Sequence, residues 1–394
     1  MRTFPAPGAL ALLVSILPAQ TYATGWQDFA FTNATSQGSP TIPCRVHYPA
    51  LTQGQGAAVL PRPGGWPVVV FLHGAGSMGS DYSTVSGPLA RSGYVAVMVD
   101  DARYDMVLLA QDATALHAIL QQENLTSASP LFGALDMTHA AVQGYSMGGG
   151  STLRVLASNP GYLAGFCHAP AFYATATANV VVPLGIVHGS GDTVVPLASS
   201  QTYFRDATSF TGTKTLYVFN NDGDHNNIVT TYLSRPQDLA VCARVQKVFL
   251  GFFATYLRGE APGLEEVVGT SAASEPRLAT ILHSVQAPQL WIESTGRLGD
   301  ALRITQNGEP GTGFTLVATG RATQQTPFGI FELDPATTTV LWTPTFGSRR
   351  VSVVDVAIPL LPGLVGKVFS FQGTALTVGP TGRLTSTTDL PIVP

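Results

Sequence analysis

Gly144, Ser146 and Gly148 stand in the order Gly-Tyr-Ser-Met-Gly, after an apolar run at 140–143 and before a helical stretch at 151–157 that stops near Asn159-Pro160. A strand, a sharp turn and a helix in that order lift a serine oxygen above the edge of a sheet, and glycine flanks it because a Cβ would crowd the turn. By itself the pattern is weak, since the chain has 41 glycines and a small-residue turn would read the same. A serine hydroxyl is a poor nucleophile until a base takes its proton, and the imidazolium then formed needs a carboxylate. Asp192 lies in Val187-His188-Gly189-Ser190-Gly191-Asp192-Thr193, just past an apolar run at 183–187. His225 lies in Asn221-Asp222-Gly223-Asp224-His225-Asn226, past a strand at 215–219. Serine, then acid, then histidine is the order in which such turns find their partners.

Both partners also have plain readings. Asp192 would serve as a cap for a helix beginning near Pro196, and His225 as an exposed turn histidine. Asp222 and Asp224 suggest a calcium loop, but the side-chain ligands are too few and too close together for one, and no metal is expected. A developing oxyanion needs fixed donors: the N–H of Met147, directly after the serine, and the N–H of Ala75 in the small loop His73-Gly74-Ala75-Gly76. His73 reads as the residue that holds this loop. The reaction needs no metal or organic cofactor.

The elements that must position these residues are legible between 67 and 257. Short continuous apolar runs at 68–72, 94–99, 140–143 and 183–187 alternate with amphipathic stretches, as strands buried on both faces by crossover helices require. A helix at 239–257 closes the segment. Turn residues and small side chains follow Gly259, and runs at 314–318, 328–333, 339–342 and 367–372, spaced by Gly, Pro, Thr and Asn, have the rhythm of an all-β sandwich or barrel. The division expected is a signal peptide at 1–23, a catalytic domain at 24–260, a linker at 261–274 and a β domain at 275–394. No internal repeat of fixed period is present.

Composition narrows the partners. Charged residues make up 11% of the 394 and formal net charge is −4, with no basic run interleaved with aromatics, so nucleic acid is excluded as a partner. Arg2, an apolar stretch at 8–17 and Thr21-Tyr22-Ala23 read as a secretory signal. No later segment holds the roughly 18 uninterrupted apolar residues of a membrane span, and a soluble, secreted monomer is expected. Cys44, Cys167 and Cys242 leave at least one thiol unpaired; the sequence does not choose a pairing.

With these motifs in place, a family likeness follows. The stretch from Gly144 to Leu153, the segment Gly191-Asp192-Thr193-Val194-Val195-Pro196 and Gly223-Asp224-His225 together resemble bacterial cutinases and poly(ethylene terephthalate) hydrolases, within the dienelactone-hydrolase-like esterases. The resemblance covers about residues 65–257. It implies an α/β-hydrolase fold with a mostly parallel central sheet, a triad of Ser146, Asp192 and His225, and a carboxylic ester substrate, polymeric or insoluble esters included. Where those enzymes place an aromatic residue after the first-strand glycine, this chain has Ala75, and where they carry a tryptophan after Thr-Pro it reads Ala169-Pro170-Ala171-Phe172. One wall of the aromatic clamp is therefore missing, and Phe172, Tyr173 and Tyr145 are the aromatic residues expected to meet substrate. The tail, from Ile358 to Gly366 with Phe369-Ser370-Phe371-Gln372, looks like a β module that ends many secreted bacterial proteins. Trp291 and Trp342 there are either sugar-stacking or core residues.

The resulting expectation is a secreted serine esterase, cutinase- or polyesterase-like, working through an acyl-enzyme on Ser146. The rival from another class is a surface-binding or adhesion protein with an inert hydrolase fold and a binding C-terminal β domain. Peptidase activity ranks lower, because no propeller or other gating domain precedes the hydrolase segment.

Overall fold

A computed structural model describes residues 21–394 except 36, 159–160, 173–176, 211, 221–222, 234, 261–262, 268–274, 286–288, 309–310, 327–328, 347–350, 377–381 and 386. The proposed signal segment up to residue 20, and Tyr173, lie outside the described residues. Tyr22 is already part of the fold: its N–H donates to Arg91 O at 3.0 Å and its ring lies 4.9 Å from Trp66.

The chain opens with a hairpin, β1 (Ala23–Thr32) and β2 (Thr41–Ala50), and a two-residue β3 (Gly54–Gln55) beside β1. Strands and helices then alternate: β4 (Trp66–Leu72), α1 (Ser83–Arg91), β5 (Val95–Val99), α2 (Met106–Leu125), β6 (Leu135–Tyr145), α3 (Met147–Ser158), β7 (Ala164–His168), β8 (Leu184–Gly189), α4 (Leu197–Asp206), β9 (Thr213–Phe219), α5 (Pro236–Arg258), α6 (Gly263–Val267) and β10 (Leu278–Val285).

One ten-stranded sheet runs β10-β9-β8-β7-β6-β4-β5-β2-β1-β3. The block from β9 to β5 is parallel throughout. Antiparallel strands flank it, β2 on β5, β1 on β2 and β10 on β9. The sheet is therefore mixed, a six-stranded parallel block with antiparallel strands on both sides: helical crossovers return each strand of the block in the same direction, and the short β1–β2 connection makes a hairpin.

Alternation along each strand feeds two cores. Val68, Val70, Leu72, Val95, Val97 and Val99 face the helices α2 and α3, while Val69, Phe71, Ala96 and Met98 face α1 and α5. Side chains of successive strand residues point to opposite faces, so a strand covered on both must be apolar throughout. Helix α5 is long and apolar enough to cross a membrane by length and composition, but 61% of its most apolar window is buried, as a core helix requires. It ends at Gly259 in the left-handed region (φ 68°), where glycine carries no Cβ penalty.

The segment read as linker contains α6, packed on α5 so closely that a Cβ at Gly251 would sit 2.6 Å from the Gly263 carbonyl oxygen. The first strand of the segment read as a separate β domain, β10, covers the edge of β9 and belongs to the central sheet. A short apolar run such as Leu-Ala-Thr-Ile-Leu carries no mark of which sheet it will join, whereas the buried β9 would otherwise present a bare edge.

Beyond β10 the regular elements among the described residues are strands, apart from a 3-10 turn at Pro362–Leu364. The strands are β11 (Leu290–Glu293), β12 (Ala301–Asn307), β13 (Gly311–Ala318), β14 (Arg321–Thr326), β15 (Gly329–Leu333), β16 (Thr339–Trp342), β17 (Thr345–Phe346), β18 (Val351–Ala357), β19 (Val368–Leu376), β20 (Gly382–Leu384) and β21 (Thr388–Pro391). They form three further sheets with antiparallel pairing, around a small core of Leu290, Leu302, Ile304, Ile358, Phe371, Leu390 and Ile392. Trp291 is buried against the α5 side of the hydrolase core, and Trp342 packs on the small β core. Cys44, Cys167 and Cys242 are buried free thiols, so no disulfide joins them.

Candidate active site

Ser146 sits at the joint of β6 and α3, at φ 52°. That left-handed conformation is uncommon for a residue with a side chain and carries strain held by its surroundings. Here the turn is bonded on both sides: Ser146 N–H donates to His168 O at 2.8 Å, and Ala171 N–H donates to Ser146 O at 2.9 Å. The two glycines are demanded by contact. A Cβ on Gly144 would collide with the Gly148 carbonyl, and one on Gly148 with the Leu72 carbonyl.

The three expected residues meet. Ser146 Oγ lies 3.0 Å from His225 Nε2, and His225 Nδ1 lies 2.6 Å from Asp192 Oδ2. A carboxylate only accepts, so Nδ1 carries the hydrogen and Nε2 is free to accept the serine proton. Asp192 Oδ1 accepts the N–H groups of Val194 and Val195, both at 2.8 Å. Burial works against the Asp192 charge, but hydrogen bonds from His188, His225 and the Val195 N–H outweigh it and hold the carboxyl well below its ordinary range. It is the charged form that faces the imidazole.

The two loops that carry acid and base touch through glycine. Gly191 N–H donates to Gly223 O at 3.0 Å, and a Cβ at Gly189 would collide with that same Gly223 carbonyl. Gly189→Ala is accordingly expected to destabilise the fold by about 1–3 kcal/mol through overpacking. It should also lower the turnover number, because the collision forces the two loops apart; thermal unfolding and kcat measured together check it. Just before His225, Asp224 accepts the Asn226 N–H at 2.9 Å and the Arg235 guanidinium at 2.8 Å, tying the loop to the N-cap of α5.

The loop after β4 is set by a closed ring of bonds. Gly74 N–H donates to Tyr82 Oη (3.0 Å), the Tyr82 hydroxyl reaches Ser77 Oγ (2.7 Å), and Ser77 Oγ–H donates to Gly74 O (2.9 Å). Burial pushes the Tyr82 phenol up to about 12, so it stays neutral. His73 ring nitrogens reach Gly74 O at 2.7 Å and Asp101 Oδ1 at 3.0 Å, and Arg103 ties Asp101 to the buried Asp112. With the Gly74 N–H engaged and that of Gly76 directed at Arg103 O (3.4 Å), the Ala75 N–H is the donor in this loop left for a ligand. Met147 opens α3, and its N–H is among the first four that no helix can satisfy internally.

The aromatic residues fare differently. Phe172 is 58% exposed, its ring 5.7 Å from Tyr203, on the segment bonded to Ser146. Tyr145, expected at the substrate, is only 5% exposed; its ring packs 4.9 Å from that of His225 and its hydroxyl donates to Asn226 Oδ1 at 3.0 Å. It supports the histidine from behind, because the residue before the turn still belongs to β6 and points into the core. Two residues were not foreseen. Tyr104, 79% exposed, covers Gly76 with its ring, so the loop after β5 puts an aromatic where Ala75 has none. His188, at the end of β8, is fully buried beside Asp192, and its place in Val-His-Gly before that acid was the only signal.

Residues 21–237, more than half of the chain, match a protein family described as PET hydrolase-like. A bis(hydroxyethyl) terephthalate hydrolase of Streptomyces coelicolor is 27% identical over 154 residues, 39% of this chain and 46% of that protein. The chain thus spans less than half the length of that relative.

Proposed function

The chain belongs to the PET hydrolase-like family, and we propose that it is a secreted serine esterase that cleaves carboxylic esters, short polyester fragments among them, through an acyl-enzyme on Ser146. Family membership implies an α/β-hydrolase fold, and the mixed sheet with helices on both faces is in keeping with it. The observation that carries the reading is the continuous hydrogen-bond chain from Ser146 Oγ to His225 Nε2 (3.0 Å) and from His225 Nδ1 to Asp192 Oδ2 (2.6 Å).

In this reading Ser146 Oγ attacks the ester carbonyl while its proton passes to His225 Nε2. The N–H groups of Met147 and Ala75 meet the oxyanion. His225 hands the proton to the departing alkoxide, breaking the C–O bond and leaving the acyl group on Ser146. Water then attacks the acyl carbon with the same histidine as base, and the serine is restored. Asp192 stays ionised throughout and holds the ring.

The exposed rings of Phe172 and Tyr104, one beside the nucleophile turn and one over the oxyanion loop, suit an ester with an apolar or aromatic acyl group. Bis(hydroxyethyl) terephthalate, the ester in the relative's name, is such an ester. Secretion is supported by the apolar segment behind Arg2. The test is hydrolysis of a soluble p-nitrophenyl acyl ester and of bis(hydroxyethyl) terephthalate by the purified full chain. The expected result is catalytic turnover of at least the former, with a pre-steady-state burst no larger than the enzyme concentration; inertness toward every soluble ester tried would overturn the reading.

A further inference from the structure

His188 is a polar, fully buried side chain with no part in the proton path. Its surroundings are specific. Nδ1 lies 2.7 Å from Ser200 Oγ on α4, and Nε2 lies 2.9 Å from Val195 O and 3.3 Å from Asp192 Oδ2. Both oxygens near Nε2 only accept, so Nε2 carries its one hydrogen, bonded to Val195 O with Asp192 Oδ2 as the longer second acceptor of a forked bond, and the Ser200 hydroxyl is able to donate to Nδ1. The loop from Asp192 to Pro196 therefore winds around this imidazole, which bonds residues four, seven and twelve positions further on. Asp192 Oδ2 is the same oxygen that accepts from His225 Nδ1.

We propose that His188 is a positioning residue of the relay, a second imidazole donor on Asp192 Oδ2 that shares the carboxylate with His225 and limits how strongly that carboxylate stabilises the His225 imidazolium. A carboxylate oxygen that accepts two N–H groups offers each less charge than it would offer one alone. Loss of that second donor leaves the whole carboxylate charge to the His225 ring. The other groups around His225 are Tyr145 at the end of β6, His168 at the end of β7, Asp224 in its own loop and Ser146 in front. Of these the carboxylate of Asp224 is engaged by Arg235. Asp192 is the charged group in direct hydrogen bond with the ring, so His188 acts on the ring through it.

This inference rests on the reading of Ser146, His225 and Asp192 as the reacting relay. The experiment is the pH profile of kcat/KM on a soluble p-nitrophenyl ester for wild type, His188→Met, His188→Gln and Ser200→Ala, each checked for folding by circular dichroism. In His188→Met the acid limb should move up by about half a pH unit, since charge released from one donor falls on the other. The rate on the plateau should fall roughly ten-fold as the acid loses its second support. Gln keeps an N–H donor at similar reach and should bring the limb back toward wild type. Ser200→Ala frees the tautomer of His188 and should move the limb in the same direction by less; it decides the matter if His188→Met does not fold. A limb that stays put in His188→Met and Ser200→Ala while rates fall equally at every pH shows a merely structural role and overturns the proposal, as does a shift as large in Gln as in Met. Full activity of Ser146→Ala would instead overturn the underlying reading, so the two failures are distinguishable.

Discussion

Alanine at position 146 is expected to lower kcat on a short p-nitrophenyl ester by roughly 10⁶-fold, with substrate affinity and melting temperature close to wild type. The hydroxyl is the group that forms the bond to carbon, and among the described residues Ser146 Oγ is the group hydrogen-bonded to His225 Nε2, at 3.0 Å. What remains would come from the donors of Met147 and Ala75 and from binding alone, the residual advantage such sites keep over water. Stability should change little, because the backbone bonds that hold the turn, from Ser146 N–H to His168 O and from Ala171 N–H to Ser146 O, do not involve the side chain. Steady-state kinetics and a thermal melt on the same preparation check both halves.

Asp192→Asn should cost about 10⁴-fold in kcat, and the geometry says why. Oδ1 is claimed by the N–H groups of Val194 and Val195, so an asparagine must keep its oxygen there and turn its NH₂ toward His225. Facing a donor, His225 Nδ1 has to accept, which moves the ring hydrogen to Nε2. Nε2 is then unable to take the proton of Ser146. The same NH₂ also faces the donor of His188, 3.3 Å from Oδ2 in the wild type. Stability carries a second signature. The carboxyl is held below its ordinary value in the folded state, against the opposing effect of burial. A depressed group stabilises the fold above its unfolded value, about 3.9 for aspartate, and loses that contribution as pH falls through the folded value. The variant should therefore be less stable than wild type by a constant margin at neutral pH, and the two melting curves should converge below about pH 4. Melting temperatures across that range measure it.

The residues brought together at the serine were legible because each leaves a steric or chemical mark in the sequence. Gly144 and Gly148 are required by contacts with the carbonyls of Gly148 and Leu72, and the runs ending at Leu72, Val99 and Gly189 are apolar on both faces because both faces are covered. The order of Ser146, Asp192 and His225 along the chain then leaves few ways for them to meet. What was not legible depends on where a strand lies or which way a ring turns. The run at Leu278–Val285 would pair as well in a separate β domain as on the exposed edge of β9, and only the folded sheet decides. The C-terminal runs were visible at 339–342 and nearly so at 314–318, but how they divide among three sheets was not. Tyr145 reads as a site aromatic by its neighbour Ser146, yet strand alternation sends it inward behind His225. Tyr104 and His188 were hidden for the opposite reason: they reach the site from elements whose own motifs lie elsewhere, one across a loop and one through Asp192.

The most direct test is covalent. An alkyl p-nitrophenyl phosphonate mimics the tetrahedral intermediate and traps an activated serine as a stable ester. One equivalent is expected to label the wild type at the peptide holding Ser146, with loss of activity in step, and Ser146→Ala is expected to take up no label at a comparable rate. Stoichiometric inactivation with the phosphonate on any other residue, or hydrolysis undiminished once Ser146 is fully labelled, would contradict it.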